Sequence, residues 1–125
     1  MLRVTIITNN PKVEQQEGAL YYDETLMQIL LRVRDLVHQN YRLLTHPLAG
    51  SIKPHQTPYK SVALFATPGA ELDFDSLSAI EGAIQVTQKL MQEHHLPEWP
   101  KQIMADFALI DLDLLQSGLQ SVGHL

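Results

Sequence analysis

Cysteine is absent from this chain of 125 residues. Without thiols there can be no disulfide, thiolate nucleophile, thiolate-rich zinc site or dithiol redox role. Folding at this length buries roughly two-thirds of the surface of the unfolded chain, so a hydrophobic core can hold the fold without a metal or a disulfide. Because 45% of the residues are hydrophobic, we predict one globular domain over residues 1–125.

Basic residues are also scarce. Nine Lys and Arg stand against fourteen Asp and Glu, which gives a formal net charge of −5, and the nine are dispersed along the chain. Nucleic acids are bound by clustered Lys and Arg, so we expect no nucleic-acid partner. The net charge does not decide whether a single loop forms an anion site. The apolar run at residues 1–8 is too short for a signal peptide or a membrane span. We expect a soluble, cytoplasmic protein without membrane contact.

Standard nucleotide, nucleophile and metal motifs are missing as well. The chain has no Gly-x-Gly-x-x-Gly or Walker-type loop and no Gly-x-Ser-x-Gly elbow. His46 and His55 have no carboxylate or thiolate nearby in sequence, and His94 and His95 are adjacent rather than spaced along a helix. Three aspartates are interpreted as capping and surface charge rather than a magnesium site: Asp106, Asp111 and Asp113. We therefore expect no cofactor and no metal.

Runs of β-branched residues alternate with amphipathic segments along the chain. They predict strands near residues 2–8, 41–45, 61–66 and 107–111, and a short extra strand near 19–22. This order indicates a single α/β domain, with a mainly parallel sheet of about four strands and helices packed on it, in a Rossmann-like three-layer fold. Ligands of such sheets favour the carboxyl ends of strands. We therefore expect Asn9 and Asn10 to lie near the start of the long loop at 45–60.

Helices are predicted from the spacing of apolar residues. One spans 24–39 with Asp23 as its N-cap, and another runs from Asp73 or Asp75 to about residue 95. Shorter helical segments are predicted at 101–105 and 113–120. In the first helix Met27 and Leu31 lie off the main apolar stripe, which indicates either a broad core face or a subunit contact. Together with the Trp99 region, these residues are the reason to expect a homodimer.

The loop from Thr45 to Lys60 is the one chemically promising surface. It contains three prolines, two Lys, two His and several hydroxyls, but no acid. Prolines stiffen a loop, while ammonium groups, hydroxyls and backbone N–H groups bind anions. The alternatives are a packed Ω-type loop and a catalytic loop. His46 is interpreted as structural or as a general acid or base, Ser51 has no assignable partner for catalysis, and Lys53 is a solvated charge or an anion contact.

Several segments resemble the GrdX family in the same order along the chain. They are Ile7–Pro11, Val33–His38, Leu43–Pro54, Thr57–Ser61 and Leu72–Leu77. The proteins of that family are encoded beside the glycine, sarcosine and betaine reductase genes of amino-acid-fermenting bacteria. The resemblance therefore implies an accessory role near that selenium-dependent system. Since the chain has no cysteine, it cannot relay electrons through thiols.

These observations favour an accessory or regulatory protein of undefined activity that recognises a small anionic metabolite, through the 45–60 loop, or a partner's surface, and they favour a binding protein over an enzyme. The candidate contacts are Asn9, Asn10, His46, Ser51, Lys53, Thr57, Tyr59 and Lys60. One alternative is an enzyme acting on a small carboxylate or phosphate compound, with His46 as acid or base and Lys53 or Lys60 stabilising negative charge. Another is an assembly factor that binds a reductase subunit through an exposed sheet edge or the face formed by Met27 and Leu31.

Overall fold

The structure, a computed structural model, describes residues 3–50, 52–95 and 97–122. Four strands and three helices follow one another along the chain. In order they are β1 (Val4–Thr8), β2 (Ala19–Tyr21), α1 (Leu26–His38), β3 (Arg42–Leu43), β4 (Ser61–Phe65), α2 (Phe74–Glu93) and α3 (Lys101–Ser121). The α/β class predicted from the sequence is thus confirmed, and the sheet has four strands when the short strand predicted near 19–22 is counted.

The sheet is mixed, with strand order β2-β1-β4-β3. β1 and β2 pair in parallel, whereas β4 runs antiparallel to both of its neighbours, β1 and β3. The prediction of a mainly parallel, Rossmann-like sheet is therefore wrong. After β3 the chain turns back through the loop of residues 44–60, so β4 runs antiparallel to β3.

The strand predicted at 107–111 is also wrong, because those residues lie within α3. Ala108, Asp111 and Leu115 are 5%, 7% and 3% exposed, while Leu109 and Ile110 are 56% and 41% exposed. Burial at i, i+3 and i+7 is the periodicity of a helix with one face on the core. A short apolar run cannot by itself distinguish a strand from a helix. The helical segments predicted at 101–105 and 113–120 are both parts of α3, which continues through 107–111.

Helices cover both faces of the sheet. Successive strand residues point to opposite faces, so Ile7 packs with α1 and α2, while its neighbour Ile6 packs with Leu115 of α3. The larger of the two clusters also contains Val62 and Leu64 of β4. Each sheet face is thus closed by helices, and the polar end of β1 lies between the two cores.

The helix starts are set by local hydrogen bonds. Thr25, not Asp23, is the N-cap of α1, and it forms a capping box with Gln28. Asp73 caps α2 as predicted, by accepting from the backbone N–H of Ser76. Among the described residues no helix is long and apolar enough to cross a membrane.

Met27 and Leu31 on α1 pack against the core cluster shared with α2. Of the two interpretations of this pair, the broad core face agrees with their position, because both side chains are partly buried within the chain itself. The two residues therefore offer no support for a subunit contact, and a dimer would need another surface.

Candidate functional site

Two segments meet at the end of the two central strands, where β1 ends and β4 begins. Thr8, the last residue of β1, pairs with Ser61, the first residue of β4. Asn9 and Asn10 follow β1 directly, and Lys60 precedes β4 directly. The two asparagines were predicted to lie near the start of the 45–60 loop, and this is wrong: Asn9 contacts the end of the loop, at Pro58 and Lys60, because β4 pairs antiparallel with β1.

Asn9 holds the end of the loop in place. Its side-chain Nδ2 donates to the carbonyl oxygens of Glu24 and Pro58, both at 2.9 Å. Its Oδ1 accepts from the backbone N–H of Lys60 at 2.8 Å. Both ends of this amide are therefore engaged by the backbone, and Asn9 positions the loop from within the protein.

Asp111 of α3 is the centre of a buried hydrogen-bond network. Its Oδ1 accepts from the backbone N–H of Ser61 at 3.1 Å, and its Oδ2 accepts from the Ser61 hydroxyl at 2.6 Å and from Nδ2 of Asn10 at 2.9 Å. The hydroxyls of Thr8 and Ser61 also form a hydrogen bond with each other at 2.6 Å. Because Asp111 is only 7% exposed, its interpretation as a capping or surface charge is wrong.

Sequence reasoning missed Asp111 because the strand prediction placed it at the end of a strand. A helical reading of the same segment puts Asp111 on the face shared by Ala108 and Leu115, which are both buried. A carboxylate on a buried helical face needs hydrogen-bond donors. That signal was present in the sequence, although its donors, Asn10 and Ser61, are brought to it only by folding.

Lys60 is buried beside this network, with 8% exposure. Lys60 therefore differs from Lys53, which is exposed. Burial lowers the pKa of Lys60 from its ordinary value, and the nearby charge of Asp111 partly opposes this effect. Among the described residues the ion pairs within 4.0 Å are Arg32 with Glu24 and Arg34 with Glu81, and neither involves Lys60.

Lys60 and Asp111 line two small cavities between the loop and α3. The cavities have volumes of about 10 and 20 Å³, and each has room for roughly one water molecule. Thr57 and Tyr59 line the first cavity, and His46 lines the second. Four of the predicted contacts therefore lie around one seam, but the seam is closed to anything as large as a metabolite.

Of the other predicted residues, Asn10 and Lys53 line neither cavity, whereas His46 lines the second one. Asn10 is fully buried and donates to the Ala108 carbonyl oxygen as well as to Asp111. Lys53 is exposed and lines neither cavity. Ser51 lies outside the described residues. His46 is exposed, and its Nδ1 accepts from the backbone N–H of Leu48 at 3.0 Å.

A second group of side chains holds the outer part of the loop. The rings of His55 and His94 stack with their centroids 4.3 Å apart, and Nε1 of Trp99 donates to the carbonyl oxygen of Gln56 at 3.2 Å. Burial, His94 and Lys53 together lower the pKa of His55. Sequence reasoning considered His55 and His94 only as metal ligands, because nothing in their positions along the chain indicates that they stack.

The described residues contain no group of three or more His, Asp or Glu side chains that could hold a metal ion. The site is thus built from an ammonium group, hydroxyls, backbone groups and one carboxylate already engaged by three donors. Such a set can bind charge and hydrogen-bond acceptors.

The fold and this site define a small α/β protein in which a proline-containing loop closes over a buried lysine. The family follows from comparison: the family model described as GrdX-like protein matches residues 5–120, and the chain belongs to that family. The resemblance seen in the sequence is confirmed. No curated protein and no solved structure matches the chain.

Proposed function

We propose that this protein is an accessory or regulatory component of the glycine, sarcosine and betaine reductase system, and that it binds a small anionic metabolite against Lys60. Membership of the GrdX-like family supports the association with the glycine reductase system. The observation that carries the ligand class is the buried ammonium group of Lys60, which lines both cavities of the seam.

A buried ammonium group lowers stability unless charge or hydrogen bonds compensate for it. Such groups cluster at functional sites, where the position serves binding rather than stability. Asp111 lies near Lys60, but its oxygens already accept from Ser61 and Asn10. A ligand carboxylate or phosphate in the seam would compensate the charge of Lys60, with the hydroxyls of Thr57 and Tyr59 close by.

The ligand must displace part of the loop, because each cavity admits only about one water molecule. The residues that can move are 52–60, which we call the strap. Ile52, Thr57 and Tyr59 of the strap form one wall of the first cavity, and α3 forms the other. Movement of the strap away from α3 would open the seam without disturbing the sheet.

The test is a thermal-shift screen of small carboxylates and inorganic phosphate, followed by calorimetric titration of the best compound. Lys60→Met removes the ammonium group while filling most of its volume. A charge-assisted hydrogen bond contributes about 1.5–3 kcal/mol, so this variant should bind roughly tenfold to a hundredfold more weakly. Binding by the wild type should also weaken with salt.

Lys53→Met is the matched control, because Lys53 is exposed and lines neither cavity. It should retain most of the affinity. If no carboxylate or phosphate stabilises the wild type, or if Lys60→Met binds as tightly as the wild type does, the anion site is abandoned.

A second candidate function is assembly of a reductase component, and exposed apolar residues on α3 favour it. Leu109 and Ile110 are 56% and 41% exposed and adjacent in sequence on that helix, and Ile110 also lines the first cavity. Apolar surface of this kind is enriched in interaction sites. Purified reductase components should bind the wild type and not Leu109→Asp, whereas sedimentation of the isolated chain shows whether the same surface instead forms a homodimer.

A further inference from the structure

The middle of the strap is held from outside by the connection between α2 and α3. The imidazole rings of His55 and His94 are nearly parallel, with 14° between their planes and 4.3 Å between their centroids. Close by in the chain, Trp99 donates from Nε1 to the Gln56 carbonyl oxygen, and its ring lies 5.5 Å from that of Phe107 on α3. We call the His55–His94 stack and the Trp99–Gln56 hydrogen bond the clasp.

The strap has a separate attachment at its other end. Asn9 binds the Pro58 carbonyl oxygen and the Lys60 backbone N–H, and neither contact involves the clasp. In the part of the strap that the clasp holds, the backbone N–H of Gln56 donates to the Lys53 carbonyl oxygen at 2.9 Å, which closes a turn over 53–56. If the clasp opens, this turn can swing away as a unit while the end of the strap stays on the sheet.

The clasp is built from groups that repel one another when they are protonated. Two neutral imidazoles stack without charge, but two imidazolium rings at this separation are like charges in contact. Among the described residues, the charged or titratable groups that act on His55 are His94 at the end of α2 and Lys53 on the strap itself. Both lower the pKa of His55, and neither can compensate a proton on it.

The direction of the pH effect follows from the pKa of His55, which lies below its ordinary value of 6.5. A His whose pKa is lowered in the closed state binds its proton more readily in the open state. Closure is therefore fully favoured above about pH 6.5 and weakens as the pH falls through the window between 6.5 and the lowered value.

We propose that the clasp is a proton-operated latch, in which protonation of the His55–His94 stack releases the 53–56 turn and opens the seam beside Lys60. The claim that a ligand enters the open seam rests on the proposed function. The release of the turn does not depend on that function. The latch gives the protein a response to acidification in the range where histidine titrates.

Trp99 is the one tryptophan of the chain, so its indole N–H gives a single resonance and its emission reports one position. We would measure solvent exchange of that N–H, corrected for the intrinsic effect of pH, and quenching of the emission by acrylamide, between pH 8 and pH 5. On release, the corrected exchange should rise on the order of tenfold as the pH falls past 6.5. Far-UV circular dichroism over the same range should stay constant.

Two variants separate the latch from a general effect of acid. His94→Phe keeps an aromatic ring against His55 and removes the like charge of His94, so its Trp99 signals should change less than those of the wild type, while the burial of His55 and the charge of Lys53 leave part of the response. His95→Phe changes the next residue, which is exposed, and should respond as the wild type does. The proposal is overturned if the wild-type signals do not change, if His94→Phe responds like the wild type, or if circular dichroism is lost in step with Trp99 exposure.

These measurements need no ligand, so the two proposals can fail separately. Release at low pH without binding of any carboxylate or phosphate would remove the proposed function and leave the latch. Binding that depends on Lys60, without release at low pH, would remove the latch and leave the proposed function.

Discussion

At the scale of single residues, Asp111 links α3 to the sheet through three hydrogen bonds, two from Ser61 and one from Asn10. Removing the carboxylate leaves the backbone N–H of Ser61 and one amide proton of Asn10 without this acceptor in a buried place. An unsatisfied buried polar group costs about 1–3 kcal/mol. Asp111→Ala should therefore lower the free energy of unfolding by on the order of 3 kcal/mol.

The measurement is urea denaturation of both variants at pH 7, with Asp106→Ala as the control. Asp106 lies on the same helix but is exposed, and surface changes of this kind usually stay within about 0.5 kcal/mol. Equal effects of the two substitutions would contradict the network described for Asp111.

The chemistry of single residues explains which candidate contacts could be found from the sequence. The composition of the loop drew attention to Lys60, Thr57 and Tyr59, because cationic and hydroxyl-bearing side chains are typical of anion sites. Their grouping around one seam could not be derived, since it depends on the packing of α3 against the loop. Whether a side chain faces a cavity, as Lys60 does, or solvent, as Lys53 does, is decided by contacts far away in the sequence.

At the scale of the elements, α1 offers a comparison between two nearby N-cap candidates. The Thr25 hydroxyl accepts from the backbone N–H of Gln28, and the backbone N–H of Thr25 donates to Oε1 of Gln28. Asp23 lies outside the helix and is exposed. Loss of an N-cap side chain costs about 1 kcal/mol. Thr25→Ala should therefore lower the unfolding free energy by roughly that amount, and Asp23→Ala should change it much less.

Thermal or urea denaturation of the two variants decides between the capping assignment from the sequence and that from the structure. If Asp23→Ala were the more destabilising change, the helix would begin earlier than described. Thr25 and Gln28 match the capping-box pattern, so this start could have been predicted from the chain itself, although two acidic residues before it drew the assignment to Asp23.

At the scale of the whole molecule, the pH dependence of stability should have two parts. The pKa values of Glu24, Asp73 and His55 are lowered in the fold, the first two chiefly by side-chain hydrogen bonds from Arg32 and Ser76 and the third chiefly by burial. A lowered pKa contributes stability that is lost as the pH falls through the folded value. The unfolding free energy should therefore decline below about pH 6.5, the ordinary value for His55.

Lys60 acts in the alkaline range. Because burial holds its pKa below 10.5, Lys60 loses its proton more readily in the native state than in the unfolded state, and stability should rise with pH through the window up to 10.5. Lys60→Met should lack this rise and should be as stable as the wild type or more stable at pH 7. The difference between the two unfolding curves isolates Lys60 from Tyr21, whose raised pKa has the opposite effect above pH 10.

Urea denaturation of wild type and Lys60→Met at several pH values between 7 and 10 tests this prediction. A constant difference between them across that range would mean that the ammonium group is solvated and that Lys60 is not buried in solution.

The sequence by itself determined the class of the protein. Its hydrophobic content, its β-branched runs and its helical periodicities were enough for a four-stranded α/β domain, and its ordered segments were enough for the GrdX-like family. These properties depend on local patterns and on the order of residues, both of which can be read along the chain. The strands β1, β2 and β4 and the helices α1 and α2 were found for that reason.

Only the tertiary structure decided the direction of β4, the helical state of 107–111 and the closure of the loop. A run such as Phe107–Asp111 has a similar apolar content in a strand and in a helix, and the choice depends on which face finds a partner. The same packing sets Asp111 against Asn10 and Ser61, and His55 against His94. These pairs are separated by 39 to 101 positions in the chain, so local preference carries no information about them, and burial and hydrogen bonding across the fold select them.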